Sequence, residues 1–98
     1  MDQVIEGTTV IRRNPRVVHR SLGQEEGAVL LNLDTALYYG INRVGAVVWD
    51  LLEEPITFQH LLEELRNRID EVPSVLEEDI AAFLRELQRR DMATFENQ

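Results

Sequence analysis

The sequence predicts one α+β domain in which a three-stranded antiparallel β-meander is followed by three α-helices. β-branched and aromatic residues separated by short turns dominate residues 17–41, which is typical of strands. From Asn42 onward, apolar residues recur every three or four positions, which is typical of amphipathic helices. A chain of 98 residues also suits a single compact core.

The first fifteen residues are predicted to form a flexible N-terminal arm, and residues 16–95 to form the domain. The pair Asn14-Pro15 ends the arm because such pairs favour turns. A short strand at residues 8–12 is the alternative for part of this segment.

Three strands follow the arm. Residues 17–22 are rich in β-branched side chains, and residues 23–27 supply a turn. Residues 28–33 alternate leucine with asparagine, and the pair Asp34-Thr35 then forms a tight turn. Residues 36–41 contain two tyrosines and favour a half-buried pleated surface. Short turns between all three strands predict antiparallel neighbours.

Two helices are predicted next, each with a recognisable start. Asn42 can cap the first helix, and Trp49 widens its apolar face. Pro55 ends that helix, and Thr57 is the predicted N-cap of the second.

The third helix has the clearest sequence signal. Ser74 and Glu77 match the S-x-x-E capping box, in which each side chain bonds the backbone N–H of the other. Glu86 and Arg90 form a favourable i,i+4 pair, and the helix ends near Asp91. Residues 92–95 are predicted to add a short closing strand.

The charge is negative overall and unevenly distributed. The net charge is −8. Residues 1–23 hold four arginines against two acids, so the remainder of the chain is strongly acidic. Such a balance repels a phosphate backbone and attracts a cationic peptide, so general nucleic-acid binding is not expected.

Composition also predicts a cytoplasmic protein without membrane contact. The chain has no cysteine, which excludes disulfides and thiolate nucleophiles and suits a reducing compartment. No apolar run is long enough to span a bilayer, and the N-terminus does not resemble a signal peptide.

Residues able to carry chemistry are few, and no enzyme activity is predicted. Ser21 and Ser74 are the serines of the chain, and neither lies in G-x-S-x-G. His19 and His60 lie in different elements without an aligned partner. No spacing matches a metal site, and the five glycines are too scattered to cradle a phosphate. No catalytic residue, metal or cofactor is therefore expected.

The third strand of the predicted meander has an unguarded edge. Outer strands are normally protected by charge, proline or a covering segment. The first strand carries His19 and Arg20, whereas residues 36–41 contain neither charge nor proline. This edge is either covered by another part of the chain or open to an incoming strand. Composition leaves both alternatives open.

Residues 29–52, VLLNLDTALYYGINRVGAVVWDLL, resemble the PqqD-like family, also called RiPP recognition elements. The resemblance extends over about residues 17–94, and the tyrosine pair and the tryptophan are similar to stand-alone members of lasso-peptide pathways. Asp91 departs from the family pattern, which commonly has glycine there. The other matching positions are Ile41, Asn42, Ala46, Val48, Asp79, Ile80, Phe83, Leu84 and Leu87.

The resemblance implies a winged-helix-like fold that binds the leader segment of a ribosomally made precursor peptide. The leader is added as a strand beside the third strand, in a groove walled by the third helix. The implied partners are that leader, a leader peptidase and an ATP-dependent macrolactam synthetase, with the chain a monomer or weak dimer.

Candidate leader-binding residues follow from this expectation. Tyr38 is expected on the opposite sheet face from Tyr39. For each apolar candidate, core packing is the alternative, and for each charged one an ordinary exposed helix charge. The candidates are Leu33, Ala36, Leu37, Tyr38, Tyr39, Gly40 and Ile41 on the sheet and Asp79, Phe83, Glu86 and Arg90 on the third helix.

Two other functions compete with leader binding. A winged-helix DNA-binding regulator would need exposed cations on its reading helix, but the third helix holds more acids than arginines. An enzyme subunit that supports only the fold of its partner is the second alternative.

Overall fold

The structure is a computed structural model that describes residues 4–23, 25–69 and 76–97. The predicted order of a meander followed by three helices is confirmed, with additional strands around it. The elements are β1 (Val10–Arg13), β2 (Val17–Gly23), β3 (Gly27–Asn32), β4 (Leu37–Ile41), α1 (Arg43–Leu51), β5 (Ile56–Thr57), α2 (Phe58–Arg68), α3 (Leu76–Arg89) and β6 (Ala93–Glu96).

The meander is an antiparallel sheet with strand order β2-β3-β4. Its register pairs Leu30 with Tyr39 and Leu31 with Tyr38. The third strand begins one residue later than predicted, because Ala36 adopts a left-handed conformation with φ of 60°. A turn in which the Ala36 N–H donates to the Asn32 carbonyl, at 2.8 Å, joins β3 to β4.

A second sheet has the order β5-β1-β6 and brings the two ends of the described chain together. β1 lies in its centre, and Ile11 of that strand is fully buried. Within the expected flexible arm over residues 1–15, residues 10–13 instead form a strand: all four pair with β6, and Val10 and Ile11 also pair with β5. The alternative of a short strand there is the one that the structure adopts, and the predicted closing strand is β6.

Two of the predicted helix caps are confirmed. The Asn42 side-chain oxygen accepts from the Gly45 N–H at 2.8 Å, and the Thr57 hydroxyl accepts from the His60 N–H at 3.3 Å. Each bond satisfies one of the N–H groups left free at a helix start. The capping box predicted at Ser74 lies outside the described residues.

After α3 the chain adopts the left-handed conformation that glycine usually provides at a helix end, although the residue there is Asp91. Asp91 has φ of 56°, the left-handed conformation that ends many helices. The Met92 N–H then donates back to the Leu87 carbonyl at 2.8 Å. The departure from the family pattern therefore leaves the geometry of the helix end unchanged.

The core lies between the inner face of the meander and the three helices. Trp49 is almost fully buried, and the Arg13 guanidinium lies 4.6 Å from the centre of its ring. Leu30 of β3 and Leu84 of α3 are fully buried in the same core, which holds α3 alongside the sheet. No helix in the described part of the chain is long and apolar enough to cross a membrane.

Candidate functional site

The outer edge of β4 has no strand partner among the described residues. β4 pairs with β3 on one side and stands last in its sheet. Composition allowed this edge to be either covered by the chain itself or open. No further strand of the described residues covers it. A row of backbone N–H and C=O groups therefore faces outward along β4.

Hydrogen bonds of β3 identify which backbone groups of β4 face outward. The Asn32 carbonyl accepts from Ala36 on the β4 side, and the Leu33 N–H donates to the Arg16 carbonyl on the β2 side, each at 2.8 Å. Successive residues of a strand direct their groups to opposite sides. Ala28 and Leu30, which share the parity of Asn32, therefore bond to β4.

The same alternation divides the residues of β4 into two sets. Ile41 and Tyr39 stand opposite Ala28 and Leu30, so their N–H and C=O groups bond within the sheet. Tyr38 and Gly40 direct theirs away from it. The open edge thus offers the N–H and C=O groups of these two residues to a guest strand.

The side chains of β4 alternate in the same way, as predicted for the tyrosine pair. Tyr39 stands opposite buried Leu30 and is half-buried on the inner face, next to the helices. Tyr38 points to the outer face and is 68% exposed. Only Tyr39 of the pair therefore borders the space beside α3.

Three candidate residues form an aromatic wall between β4 and α3. The rings of Tyr39 and Phe83 lie 6.5 Å apart at an angle of 29°, a stacked arrangement. The Arg90 guanidinium lies 4.1 Å from the centre of the Tyr39 ring, within cation–π distance. These side chains connect the strand to the helix at the middle of β4.

Glu86 holds Arg90 in that position. Arg90 donates to the Glu86 carboxylate at 2.9 Å, and Arg89 donates to its other oxygen at 3.1 Å. These hydrogen bonds, from Arg90 first and Arg89 second, lower the pKa of the Glu86 carboxyl. The candidate pair predicted at these positions is therefore present, and Glu86 orients the cation that covers Tyr39.

A mostly apolar cleft of about 280 Å³ opens at the Ile41 end of β4, between the start of α1 and α3. Gly45 keeps this region narrow, because a Cβ atom there would lie 3.1 Å from Ile41 and 3.2 Å from the Phe83 ring. Asp79 is the acidic residue among the described residues that line it. The cleft is lined by Asn42, Val44, Gly45, Ile69, Leu76, Asp79, Ile80 and Phe83.

At the opposite end of β4, Asn32 fixes the turn to the end of α3. Its side-chain oxygen accepts from the N–H groups of Asp34 and Thr35 at 2.9 and 3.2 Å. Its amide donates to the Asp91 carbonyl at 3.0 Å, and Asn32 itself is 1% exposed. The spacing of β4 and α3 is therefore set at this end by a buried side chain.

The remaining candidates are placed in several environments. Leu33 and Ala36 lie in the turn before β4, and neither lines the cleft. Leu37 opens the strand on the inner-face parity and is 63% exposed. Ile41 is 7% exposed and belongs to the core, so its alternative interpretation as a packing residue fits the structure.

Several residues at this site were not among the sequence candidates. Val44 belongs to the apolar face predicted for the first helix and Ile80 to the positions that match the family pattern, and both also wall the cleft. Gly45 has a usable signal, since a glycine in the first turn of a helix is costly without a packing reason. Asn32 has a local signal for its bonds to the turn, since asparagine side chains often accept from the N–H two residues on, but none for its bond to the distant Asp91.

The described residues contain no group of three or more His, Cys, Asp or Glu side chains placed to hold a metal ion. The arrangement at β4 consists of free backbone groups, aromatic rings, one apolar cleft and paired charges. Such a set supports recognition of an extended chain.

An open sheet edge flanked by a helix and a cleft defines a small α+β domain built to accept a strand. The family model described as Coenzyme PQQ synthesis protein D (PqqD) matches residues 27–93. The chain therefore belongs to the PqqD family. No curated protein sequence matches this chain.

Solved structures with the same fold include two leader-peptide complexes. "TbiB1 in Complex with the TbiA(beta) Leader Peptide" is 28% identical with a TM-score of 0.71, covering 84% of this chain and 93% of that one. "Lasso peptide synthetase B1 complexed with the leader peptide" is 25% identical with a TM-score of 0.65, covering 86% and 96%.

A third structure shares the fold at lower identity. The PqqD truncation of Methylobacterium extorquens PqqCD is described as a stand-alone RiPP recognition element, where RiPP denotes a ribosomally synthesized and post-translationally modified peptide. It is 21% identical with a TM-score of 0.73, covering 93% of this chain and 95% of that one.

Proposed function

We propose that this protein binds the leader segment of a ribosomally made precursor peptide by β-strand addition along β4. The observation that carries the proposal is the open edge, at which the N–H and C=O groups of Tyr38 and Gly40 face away from the sheet. A guest strand would satisfy these groups, as in other cases of strand addition.

The side chains beside this edge supply the selectivity that main-chain bonding lacks. Inward-facing residues of the guest would lie against Leu37 and the Tyr39–Phe83 wall, and the neighbouring cleft offers an apolar pocket. Asp79 and the Glu86–Arg90 pair are the charged groups that a leader would meet, although exposed ion pairs contribute only about 0–1 kcal/mol each.

The relatives support this choice of guest. Two solved structures with the same fold, at 28% and 25% identity, are complexes with leader peptides. Their likeness covers more than four-fifths of this chain, so the leader is the guest that best fits the site.

In this proposal the chain catalyses no reaction, and its role is to deliver the precursor peptide to processing enzymes. A short strand on one edge suits an affinity near micromolar, about −8 kcal/mol. Binding at that strength raises the concentration of the precursor around an enzyme to which the module is also bound. The proposed recipients are a leader peptidase and an ATP-dependent macrolactam synthetase, which meet the precursor in the cytosol where it is made.

The DNA-binding alternative fits the site less well. Glu86 forms ion pairs with Arg89, the last residue of α3, and with Arg90, which follows it. Their positive charge is therefore partly neutralised where a reading helix needs free cations.

A proline at Tyr38 tests the proposal. Tyr38 is exposed and its N–H does not bond β3, so Tyr38→Pro removes an outward donor while the sheet keeps its own hydrogen bonds. We expect the affinity for a labelled leader peptide of the neighbouring precursor gene to fall by about tenfold or more, the loss of ~1.4 kcal/mol or more. Fluorescence anisotropy measures it.

Tyr38→Ala is the matched control, because it removes the same phenol and keeps the N–H. Its affinity should exceed that of Tyr38→Pro by the stated factor, and circular dichroism should report the same fold for both. Equal affinity of the two variants, or no leader binding by the wild type, would contradict strand addition at β4.

A further inference from the structure

Gly40 is a glycine that the fold itself does not need. A Cβ atom built on Gly40 meets nothing within 4 Å, and its φ lies outside the left-handed range. Gly27, in contrast, has φ of 85° and a Cβ there would collide with the Ile41 carbonyl at 1.9 Å. Glycine within a strand weakens it, and it often marks a place where a ligand or another backbone approaches.

The position of Gly40 identifies the approaching group. Gly40 directs its backbone N–H and C=O to the open edge, and the position of its missing side chain is on the outer face of the sheet. A guest residue paired with Gly40 would carry its own side chain on that same outer face. Gly40 is thus a gap in the sheet surface directly beside the guest.

Val29 and Tyr38 are the neighbours of this gap on the outer face, and Arg20 borders the same outer-face pocket as both of them. Val29 stands opposite Gly40 on β3, and Tyr38 lies two residues away on the same face, at about 6.8 Å along the strand. Tyr38 is 68% exposed and Val29 is half-buried, so both have surface left to cover. The nearest cation of this row, Arg20, lies beyond Val29, about 9.6 Å or two strand spacings from Gly40.

We propose that Gly40 is a seat for one large apolar or aromatic side chain of the leader, which lies across the glycine onto Val29 and against Tyr38. The inference rests on the proposed leader binding and adds a specificity determinant on the outer face of the sheet. Aromatic side chains are known to cover glycines of a neighbouring strand in this manner.

Filling the gap tests the seat. Gly40→Val keeps the N–H, meets open space and raises strand propensity, so the protein should fold at least as stably. We expect its affinity for the labelled leader to fall by about tenfold, since the guest side chain loses most of its contact with Val29. Gly40→Ala should fall by less.

Ser21→Thr is the control on the opposite edge strand, β2, because it adds a β-branched side chain at an exposed strand position and keeps the hydroxyl that accepts from the Gly23 N–H. Its leader affinity should equal that of the wild type. Wild-type affinity in Gly40→Val would overturn the seat and leave leader binding intact. A wild-type protein that does not bind the leader would overturn both, so the two failures are distinguishable.

Cysteine cross-linking then identifies the guest residue. The chain has no cysteine, so Gly40→Cys gives a single thiol, and leader peptides with one cysteine each can be compared for disulfide formation. The fastest-forming position should hold a large apolar residue in the natural leader. Replacing that residue with alanine should weaken wild-type binding and abolish the effect of Gly40→Val. A small or charged residue at that position would overturn the proposal.

Discussion

Asn32 joins three parts of the chain at one end of the groove. Its side chain bonds two backbone N–H groups of the β3–β4 turn and the carbonyl of Asp91 after α3. These hydrogen bonds offset the cost of burying the Asn32 amide, whereas removing the side chain would leave buried groups unpaired. The Asn14 amide donates to the same Asp91 carbonyl from a less buried position.

Replacing Asn32 should therefore cost more than replacing Asn14. We expect Asn32→Ala to lower the free energy of unfolding by about 2–4 kcal/mol and Asn14→Ala by about 1 kcal/mol. Urea denaturation measures both. Because the joint sets the spacing of β4 and α3, Asn32→Ala should also weaken leader binding under conditions where it is folded. Equal stability losses in the two variants would show that burial at Asn32 is unimportant.

At the scale of elements, β4 and α3 are connected by aromatic and charged side chains that contact one another in series. Tyr39 stacks on Phe83, Arg90 covers the tyrosine, and Glu86 bonds Arg90. The contact thus depends on a carboxylate that must be ionised to hold its cation. This dependence makes the wall sensitive to acid.

The pH dependence of this contact has a definite sign. Hydrogen bonds from Arg90 and Arg89 lower the pKa of Glu86 in the folded protein. The stabilisation is therefore complete above the ordinary carboxyl pKa and is lost as the pH falls through the lowered folded value. The difference in stability between wild type and Glu86→Gln should disappear over that acidic window.

Carboxyl NMR titration measures the pKa of Glu86 directly. Arg90→Ala should raise this pKa towards its ordinary value, and Arg89→Ala should raise it less, because Arg90 is the larger cause. An unchanged pKa in Arg90→Ala would show that the pair does not persist in solution.

At the scale of the whole molecule, the second sheet ties the beginning of the described chain to its end. β1 pairs with β5 and β6, and Arg12 forms an ion pair with Glu96 at 3.0 Å. That ion pair is exposed, so the buried Ile11 carries most of the attachment. The strand belongs to the core of the protein.

Truncating Ile11 tests this attachment. Ile11→Ala should lower the free energy of unfolding by about 2–5 kcal/mol, since the side chain is fully buried. Val4→Ala, at a side chain that is 64% exposed, is the control and should change it by less than about 0.5 kcal/mol. Chemical denaturation measures both, and a small effect at Ile11 would mean that β1 detaches without cost.

Local patterns predicted the elements that depend on neighbours in sequence. The alternation around Leu30 and the cap at Asn42 indicated the meander and α1 correctly. The central role of β1 was not predictable in this way, because its partner β6 lies at the other end of the chain. Pairing of that kind has no short-range signal.

The candidate site was predictable to a similar degree. Absence of charge in residues 36–41 marked this edge as either covered or open without deciding between them, and period two separated Tyr38 from Tyr39. The stack of Arg90 on Tyr39 and the bonds of Asn32 depend on how α3 packs against the sheet. Sequence periodicity gives the face of a helix but not the partner of each side chain.

Tyr38 and Gly40 lie two residues apart and both direct their backbone groups to the open edge, so a guest strand can pair with β4 only in steps of two residues. A guest displaced by two residues keeps its side chains on the same faces, whereas a displacement of one exchanges inside for outside. Inserting one residue within the bound segment of the leader should therefore place the following side chains on the wrong face of the sheet and weaken binding. Inserting two residues should return those side chains to their original faces.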